Sequence, residues 1–122
     1  LAYHPYEGVA LDADEKSRLQ RDLGDKNFLI LPNHGLLTCG LTVPDAFLHI
    51  YMLQRTCEIQ LRAQSSGVPI TQIPQSVLDR TVAMTRELTR NTGGGDIKTL
   101  DGSIPWPALL RRLDKRLPGY DQ

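Results

Sequence analysis

The sequence predicts an α/β fold in which short strands come early and helices dominate the later part of the chain. Two apolar runs of strand length, residues 28–31 and 36–39, are separated by Pro-Asn-His-Gly. A long segment with apolar residues at helical spacing follows from Val43, and two weaker helical patterns lie nearer the C-terminus. The change from strand-length runs to helical spacing is the basis of the assignment.

Composition narrows the class of protein. The 122 residues suffice for about one domain. Lys plus Arg and Asp plus Glu both number 14, so no net field favours nucleic acid or an anionic membrane surface. No apolar run approaches the ~18 residues of a membrane span. Two cysteines and the absence of a secretory leader favour a reducing compartment, so we expect a cytoplasmic protein without membrane or nucleic-acid partners.

The first third of the chain carries the predicted strands and one short helix. The helix is predicted from Asp14 to Leu23, with Asp12 as N-cap and Gly24 ending it. A third short strand is predicted at 9–11. The sequence begins at Leu1 rather than Met, from which we expect a processed or truncated piece of a longer protein.

The strongest helix is predicted from Val43 to Gln64. Thr42 is a good N-cap, Pro44 lies in the first turn, and Asp45 stands where a capping box needs its acidic residue. Apolar residues occur on more than one side of this helix, which predicts burial on more than one side, the second side facing another subunit. The main stripe consists of Ala46, Phe47, Ile50, Leu53, Cys57 and Leu61, with Leu48, Met52 and Ile59 outside it.

Two later helices complete the predicted elements. The first spans residues 75–90, and the second is an amphipathic helix over 106–117 that begins near two prolines and ends before Pro118-Gly119. The three glycines at 93–95 are predicted to be a linker, because they neither follow a strand nor lead into the Gly-Lys-Ser/Thr of a phosphate loop.

His34 is the leading candidate for chemistry. It lies at the turn after the first apolar run, between Asn33 and Gly35, both of which tolerate unusual backbone conformations. Its imidazole could bind a metal, act as an acid or base, or make a structural hydrogen bond, and spacing alone favours the last. There is no histidine at a nearby ligand interval, whereas a catalytic zinc generally needs three protein ligands.

The other two histidines are expected to have structural roles. His49 is predicted to lie on a polar or interface side of the long helix. A metal pair of His4 with Glu7 is not expected, because Pro5 opposes a helix that would place both on one face.

Cys39 and Cys57 are predicted to be core thiols, since neither has charged neighbours that would lower a thiol pKa. The carboxylate of Glu58 on the apolar helix needs a partner, and the candidates are Arg55, Arg62 or a neighbouring subunit.

These motifs together resemble a known family. The stretch NHGLLTCG followed by TVPDAFLHIYMLQRTCEIQ is similar to the second half of the class II aldolase/adducin domain, and YHPYEGVALDADEKSRLQRDLGDKN resembles the segment leading into it. The closing LLRRLDKRLPGY resembles the end of the adducin-like branch. Residues 1–122 are therefore identified as the C-terminal half of such a domain.

The resemblance implies a three-layer αβα domain that assembles into homo-oligomers. In the aldolase members, three histidines hold a divalent metal, usually zinc, which stabilises the enediolate in retro-aldol cleavage of a small sugar or hydroxy-carbonyl substrate. The third of those histidines corresponds to His34, with Asn33 and Gly35 shaping its turn. Some members use a tyrosine acid near the C-terminus, for which Tyr120 is a candidate by position.

The chain also departs from the family pattern. The His-x-His pair and the acid/base glutamate belong to the first half of the domain, and no His-x-His occurs in these 122 residues. The resemblance thus implies that this chain is half of a lyase domain and is inactive by itself. Alternatively, it implies a non-catalytic oligomerisation scaffold of the adducin type.

Overall fold

The computed structural model describes residues 1–8, 14–91 and 101–121. Within them the chain forms three strands and four helices: β1 (Ala2–Tyr3), α1 (Glu15–Leu23), β2 (Phe28–Leu31), β3 (Gly35–Thr38), α2 (Val43–Ser65), α3 (Gln75–Asn91) and α4 (Pro105–Arg116). The α/β prediction, with strands early and helices later, is confirmed. The predicted strand at 9–11 and the glycine linker at 93–95 lie outside the described residues.

One sheet with the order β1-β2-β3 organises the fold. The strands β2 and β3 form an antiparallel hairpin in which Phe28 pairs with Thr38 and Leu31 with Gly35. The strand β1 pairs in parallel with β2, Ala2 standing opposite Leu29. The hairpin follows the sequence prediction, whereas β1 was not predicted.

The sheet lies between two helices. Alternate residues of β2 point to opposite faces, and on one face Leu29 and Leu31 pack with Ala2 against Leu19 and Leu23 of α1. On the other face Phe28 contacts the ring of His49 on α2. The layer order α1, sheet, α2 is the three-layer αβα arrangement that the family resemblance implied.

The start of α2 follows the predicted local chemistry. The hydroxyl of Thr42 accepts a hydrogen bond from the Asp45 N–H (3.3 Å), and the Asp45 carboxylate accepts one from the Thr42 N–H (3.1 Å). This reciprocal capping box satisfies two backbone donors that a helix start would otherwise leave open. It confirms the predicted first turn of the longest helix.

The predicted start of α1 needs correction. Its N-cap is Asp14, without a side-chain capping hydrogen bond, and Gly24 ends it as predicted with φ 57°. Asp12, the predicted N-cap, lies outside the described residues. The helix begins at Glu15, one residue later than predicted, because the carbonyl of Asp14 accepts its first i→i+4 hydrogen bond, from the Arg18 N–H at 3.3 Å.

Much apolar surface is left uncovered in this chain. On α2, Met52 and Ile59 are exposed, so the predicted second apolar side of this helix faces outwards at these positions, and Leu61 at the end of the main stripe is exposed too. All side chains described for α3 are exposed as well. Among the described residues, no helix is long and apolar enough to cross a membrane.

The prediction of two core thiols is wrong. Cys39 is exposed, because it follows the last residue of β3 at the end of the sheet, and Cys57 is half-buried on α2. The prediction for Glu58 is confirmed, since Arg55 donates to its carboxylate at 2.8 Å.

Candidate functional site

The loop that carries His34 is the tight connection of the β2–β3 hairpin. Because Leu31 pairs with Gly35, only Pro32, Asn33 and His34 lie in the loop. The backbone N–H of His34 donates to the carbonyl of Leu31 at 3.0 Å, which closes the turn. His34 therefore has a defined position in the loop, next to the end of β2.

Asn33 gives this turn its shape. Its φ of 60° lies in the left-handed region, which Asn tolerates better than most residues. Gly35 lies outside that region, and a Cβ added there would meet nothing within 4 Å. Of the two residues predicted to shape the turn, the structure shows a backbone requirement only at Asn33.

The His34 side chain is exposed, and its ring nitrogens have no hydrogen bond or ion pair to any described residue. The ring of Tyr6 stands edge-on to the imidazole, with centroids 6.3 Å apart and planes at 74°. The structural hydrogen bond that spacing alone favoured is thus not formed within the described residues. A ring nitrogen of the imidazole therefore remains available to bind a metal ion or another ligand.

Strand β1 is what brings Tyr6 to His34. After Ala2 and Tyr3 the parallel pairing continues through the His4 N–H, which donates to the carbonyl of Ile30 at 3.1 Å. The chain then reaches Tyr6 close to the end of β2. Sequence reasoning missed this contact, since a two-residue strand has no periodicity to detect.

His4 anchors the same segment to α1. It is buried, and its Nδ1 donates to Oδ2 of Asp22 at 2.8 Å. This bond, followed by one from Arg21, holds the pKa of the Asp22 carboxyl below its ordinary value. Nε2 of His4 is 3.7 Å from Oε1 of Glu7 and has no hydrogen-bond partner among the described residues. His4 thus has a structural role, as the partner of Asp22.

A second anchor lies beside it. The guanidinium of Arg18 on α1 donates to both carboxylate oxygens of Glu7, with Nε to Oε1 at 3.0 Å and Nη2 to Oε2 at 2.5 Å. With the His4–Asp22 pair, this fastens the segment between β1 and residue 8 to α1. Tyr6, which lies between the two anchors in sequence, is therefore held on both sides.

The expectation that His49 lies on a polar or interface side is wrong. The residue is buried, its Nδ1 donates to the carbonyl of Cys39 at 2.6 Å, and its ring lies 5.0 Å from that of Phe28. The reason is that α2 packs on the sheet through the side that carries His49. There its polar atom ties the helix to the end of β3.

No hydrogen bond or ring contact joins Tyr120, the candidate acid, to His34. It lies in the turn after α4, where its N–H donates to the Leu117 carbonyl at 3.3 Å. Partial burial and the nearby Asp114 and Asp121 raise the pKa of its phenol. Its role as an acid stays a prediction.

Within the described residues, no group of three or more His, Cys, Asp or Glu side chains is arranged to hold a metal ion. His34 could supply one nitrogen ligand, and further ligands would have to come from elsewhere. Among the described residues, the site is thus one exposed imidazole, a single nitrogen ligand, on a turn whose two ends are paired in the sheet.

Comparison with known proteins places these features in context. Residues 1–61 match the family model described as the class II aldolase and adducin N-terminal domain. A Pseudomonas aeruginosa protein named "Putative aldolase class 2 protein" is 52% identical over 122 residues, covering 100% of this chain and 45% of that protein. Alpha-adducin of Rattus norvegicus is 46% identical over 121 residues, covering 93% and 16% respectively.

A solved structure gives the same result. The aldolase II superfamily protein from Pseudomonas syringae superimposes with a TM-score of 0.71 at 38% identity, covering 93% of this chain and 42% of that one. The chain spans less than half the length of the curated relatives it matches.

Proposed function

The chain belongs to the class II aldolase and adducin family, and from this premise we propose that it supplies one metal ligand, His34, to a divalent-metal-dependent aldolase. The substrate class would be a small sugar or hydroxy-carbonyl compound. The cation, zinc in our proposal, would act as a Lewis acid that stabilises negative charge developing on a substrate oxygen.

One observation carries this proposal: an exposed imidazole without a hydrogen bond to any described residue sits on a turn fixed at both ends by the sheet. A histidine with a merely structural role would use a ring nitrogen, as His49 does with the Cys39 carbonyl. The left-handed Asn33 holds the donor in one place. Such fixed placement is what a metal ligand needs.

His34 alone fits one position of a metal site. Catalytic zinc generally has three protein ligands, and the described residues offer no cluster of three. The remaining ligands would come from outside these residues, in another copy of the chain or in a portion of a longer protein. The role of this chain is therefore to complete a metal site of which it holds one donor.

The metal content of the purified protein tests this proposal. Wild type, His34→Ala and Asn33→Gly are purified without chelator, equilibrated with zinc, and analysed by mass spectrometry of the metal. We expect zinc in the wild type and in Asn33→Gly, which keeps the left-handed turn, and its loss in His34→Ala. Equal zinc in wild type and His34→Ala, or none in either, would contradict the role of His34 in this chain.

A second candidate function is an oligomerisation scaffold of the adducin type. It is favoured by the outward apolar side of α2, where Met52 and Ile59 lie seven residues apart and hence on the same side of the helix. An exposed apolar face of this kind is typical of a subunit interface. We propose that copies of the chain associate through it, whether or not the protein is an enzyme.

The oligomeric state of charged variants tests this second proposal. Light scattering after gel filtration would show an oligomer for wild type and smaller species for Met52→Lys/Ile59→Lys. Met84→Lys on α3, at a site that is also exposed, serves as the control and should keep the oligomer. A monomeric wild type would contradict homo-oligomerisation, and an unchanged double variant would contradict this face.

A further inference from the structure

A cavity of about 320 Å³ lies between the first half of α2 and α4. Phe47 from α2 and Trp106 from α4 meet beside it in an edge-to-face pair, with centroids 5.4 Å apart. Tyr51 and Leu109 add apolar wall, and Arg112 of α4 also lines the cavity. Its volume is at the lower end of the range for small-molecule sites.

The cavity is remote from the candidate metal ligand. His34 lies at the Leu31–Gly35 end of the hairpin, whereas the hydroxyl of Thr38, at the other end, donates to the Ala46 carbonyl of α2 at 3.0 Å. The start of α2, and with it the cavity, is therefore separated from His34 by the length of β3. It is a second location in the fold, not an extension of the first.

Backbone contacts build the floor of this cavity. The N–H of Gly102 donates to the carboxylate of Asp45 at 2.8 Å, and its carbonyl accepts from the Trp106 N–H at 3.1 Å. A Cβ at Gly102 would clash with the backbone of Pro44, so the two segments approach as closely as glycine allows. The α4 wall is thus fixed to α2 where the cavity begins.

The residues that line the cavity indicate which class of ligand it would bind. The described part of the lining is mainly apolar and aromatic, and Arg112 is the charged residue among the described ones. Arg112 has no hydrogen bond or ion pair to any described residue. A planar guanidinium beside an apolar wall matches a carboxylate attached to an apolar body.

We propose that this cavity binds a small carboxylate with an aromatic or aliphatic body. The body would pack against Phe47 and Trp106, and the carboxylate would accept hydrogen bonds from Arg112. Its single negative charge balances one guanidinium, whereas a phosphate monoester, at about −1.5 to −2, would call for further cations. The cavity requires neither a metal nor His34, so this proposal stands apart from the proposed function.

The chain contains one tryptophan, and it lines the cavity, so its fluorescence reports occupancy directly. The 122-residue protein is titrated with 3-phenylpropionate and, in parallel, with the uncharged 3-phenylpropanamide. We expect a saturable change in Trp106 emission with the carboxylate at roughly millimolar concentration or below. The amide should bind about tenfold more weakly, because it cannot make the charge-assisted hydrogen bonds.

Two arginine variants locate the carboxylate. Arg112→Gln should weaken 3-phenylpropionate about tenfold and leave the amide unchanged, whereas Arg111→Gln, on the neighbouring position outside the cavity, should alter neither. No saturable change, equal binding of acid and amide, or equal effects of the two variants would overturn the proposal. A change in Trp106 emission that depends on protein concentration and not on ligand concentration would also overturn the proposal. It would show that a second copy of the chain occupies the cavity.

Discussion

The carboxylate of Asp45 joins two segments that are far apart in the sequence: its Oδ1 accepts a hydrogen bond of 2.8 Å from the backbone N–H of Gly102. The other oxygen accepts from the N–H and the hydroxyl of Thr42, at 3.1 and 2.7 Å. A single buried side chain therefore both caps α2 and fixes the approach to α4.

We expect Gly102→Ala to destabilise the fold by about 1–3 kcal/mol, the usual cost of forcing extra atoms into a packed site. The new Cβ would lie 2.6 Å from the Asp45 nitrogen and against the carbonyl of Pro44, so α4 would have to move. Urea unfolding measures the change. Gly35→Ala is the control, because its Cβ would meet nothing within 4 Å, and its cost should stay within about 0.5 kcal/mol. Equal costs at the two positions would contradict the close approach.

Asp45 should make stability depend on pH in the acid range. The Gly102 N–H, followed by the Thr42 hydroxyl, lowers the pKa of the Asp45 carboxyl from 3.8. A carboxyl with a lower pKa in the folded state binds its proton more readily when unfolded, so its contribution is present above 3.8 and is lost as the pH falls below that value. In unfolding measurements from pH 6 downwards, Asp45→Asn should be less stable than wild type near neutrality. The gap between the two proteins should narrow in acid, and a constant gap would contradict this account.

The stability of variants at Asn33 should depend on how well the new residue tolerates a left-handed backbone. Asn33→Val is expected to cost about 1–3 kcal/mol, because a β-branched residue is strained at φ 60°. Asn33→Gly adopts the same conformation without strain, and its effect should stay within about 1 kcal/mol. Thermal unfolding of both variants measures the difference. A Val variant as stable as the Gly variant would show that the turn rearranges freely.

Tyr6 should orient the imidazole of His34. Tyr6→Ala removes the edge-to-face contact, whereas Tyr6→Phe keeps the ring. The ring protons of His34 in NMR spectra should move in the Ala variant and stay near their wild-type positions in the Phe variant. Such aromatic pairs contribute about 0.5–1.5 kcal/mol, so zinc affinity, where measured, should fall about twofold to tenfold in Tyr6→Ala alone. Unchanged His34 signals in the Ala variant would show that Tyr6 does not orient the imidazole.

Elements specified by neighbouring residues were predictable from sequence. The capping box of Thr42 and Asp45 acts over three residues, and the hairpin follows from two apolar runs around a short turn. Both therefore leave a readable pattern in the chain. The position of His34 at the end of β2 follows from the hairpin alone.

Features that depend on distant pairing were not predictable. Strand β1 consists of two residues and exists through its pairing with β2. The burial of His49 depends on which side of α2 meets the sheet, and an apolar pattern on several sides does not identify that side. Cys39 is exposed for a different reason: β3 ends at Thr38, and the apolar run 36–39 does not show where the strand ends.

The parallel pairing of β1 with β2 also has a consequence for the order of folding. The β2–β3 hairpin closes over a three-residue loop, an event that takes about 1–10 μs in small hairpins. Strand β1 must find its partner across the whole of α1, and such non-local contacts form late because the chain entropy of the intervening loop is lost first. The turn that presents His34 would thus be complete before Tyr6 arrives beside it. Substitutions in the hairpin loop should therefore change the rate of folding, and substitutions at Tyr6 mainly the rate of unfolding.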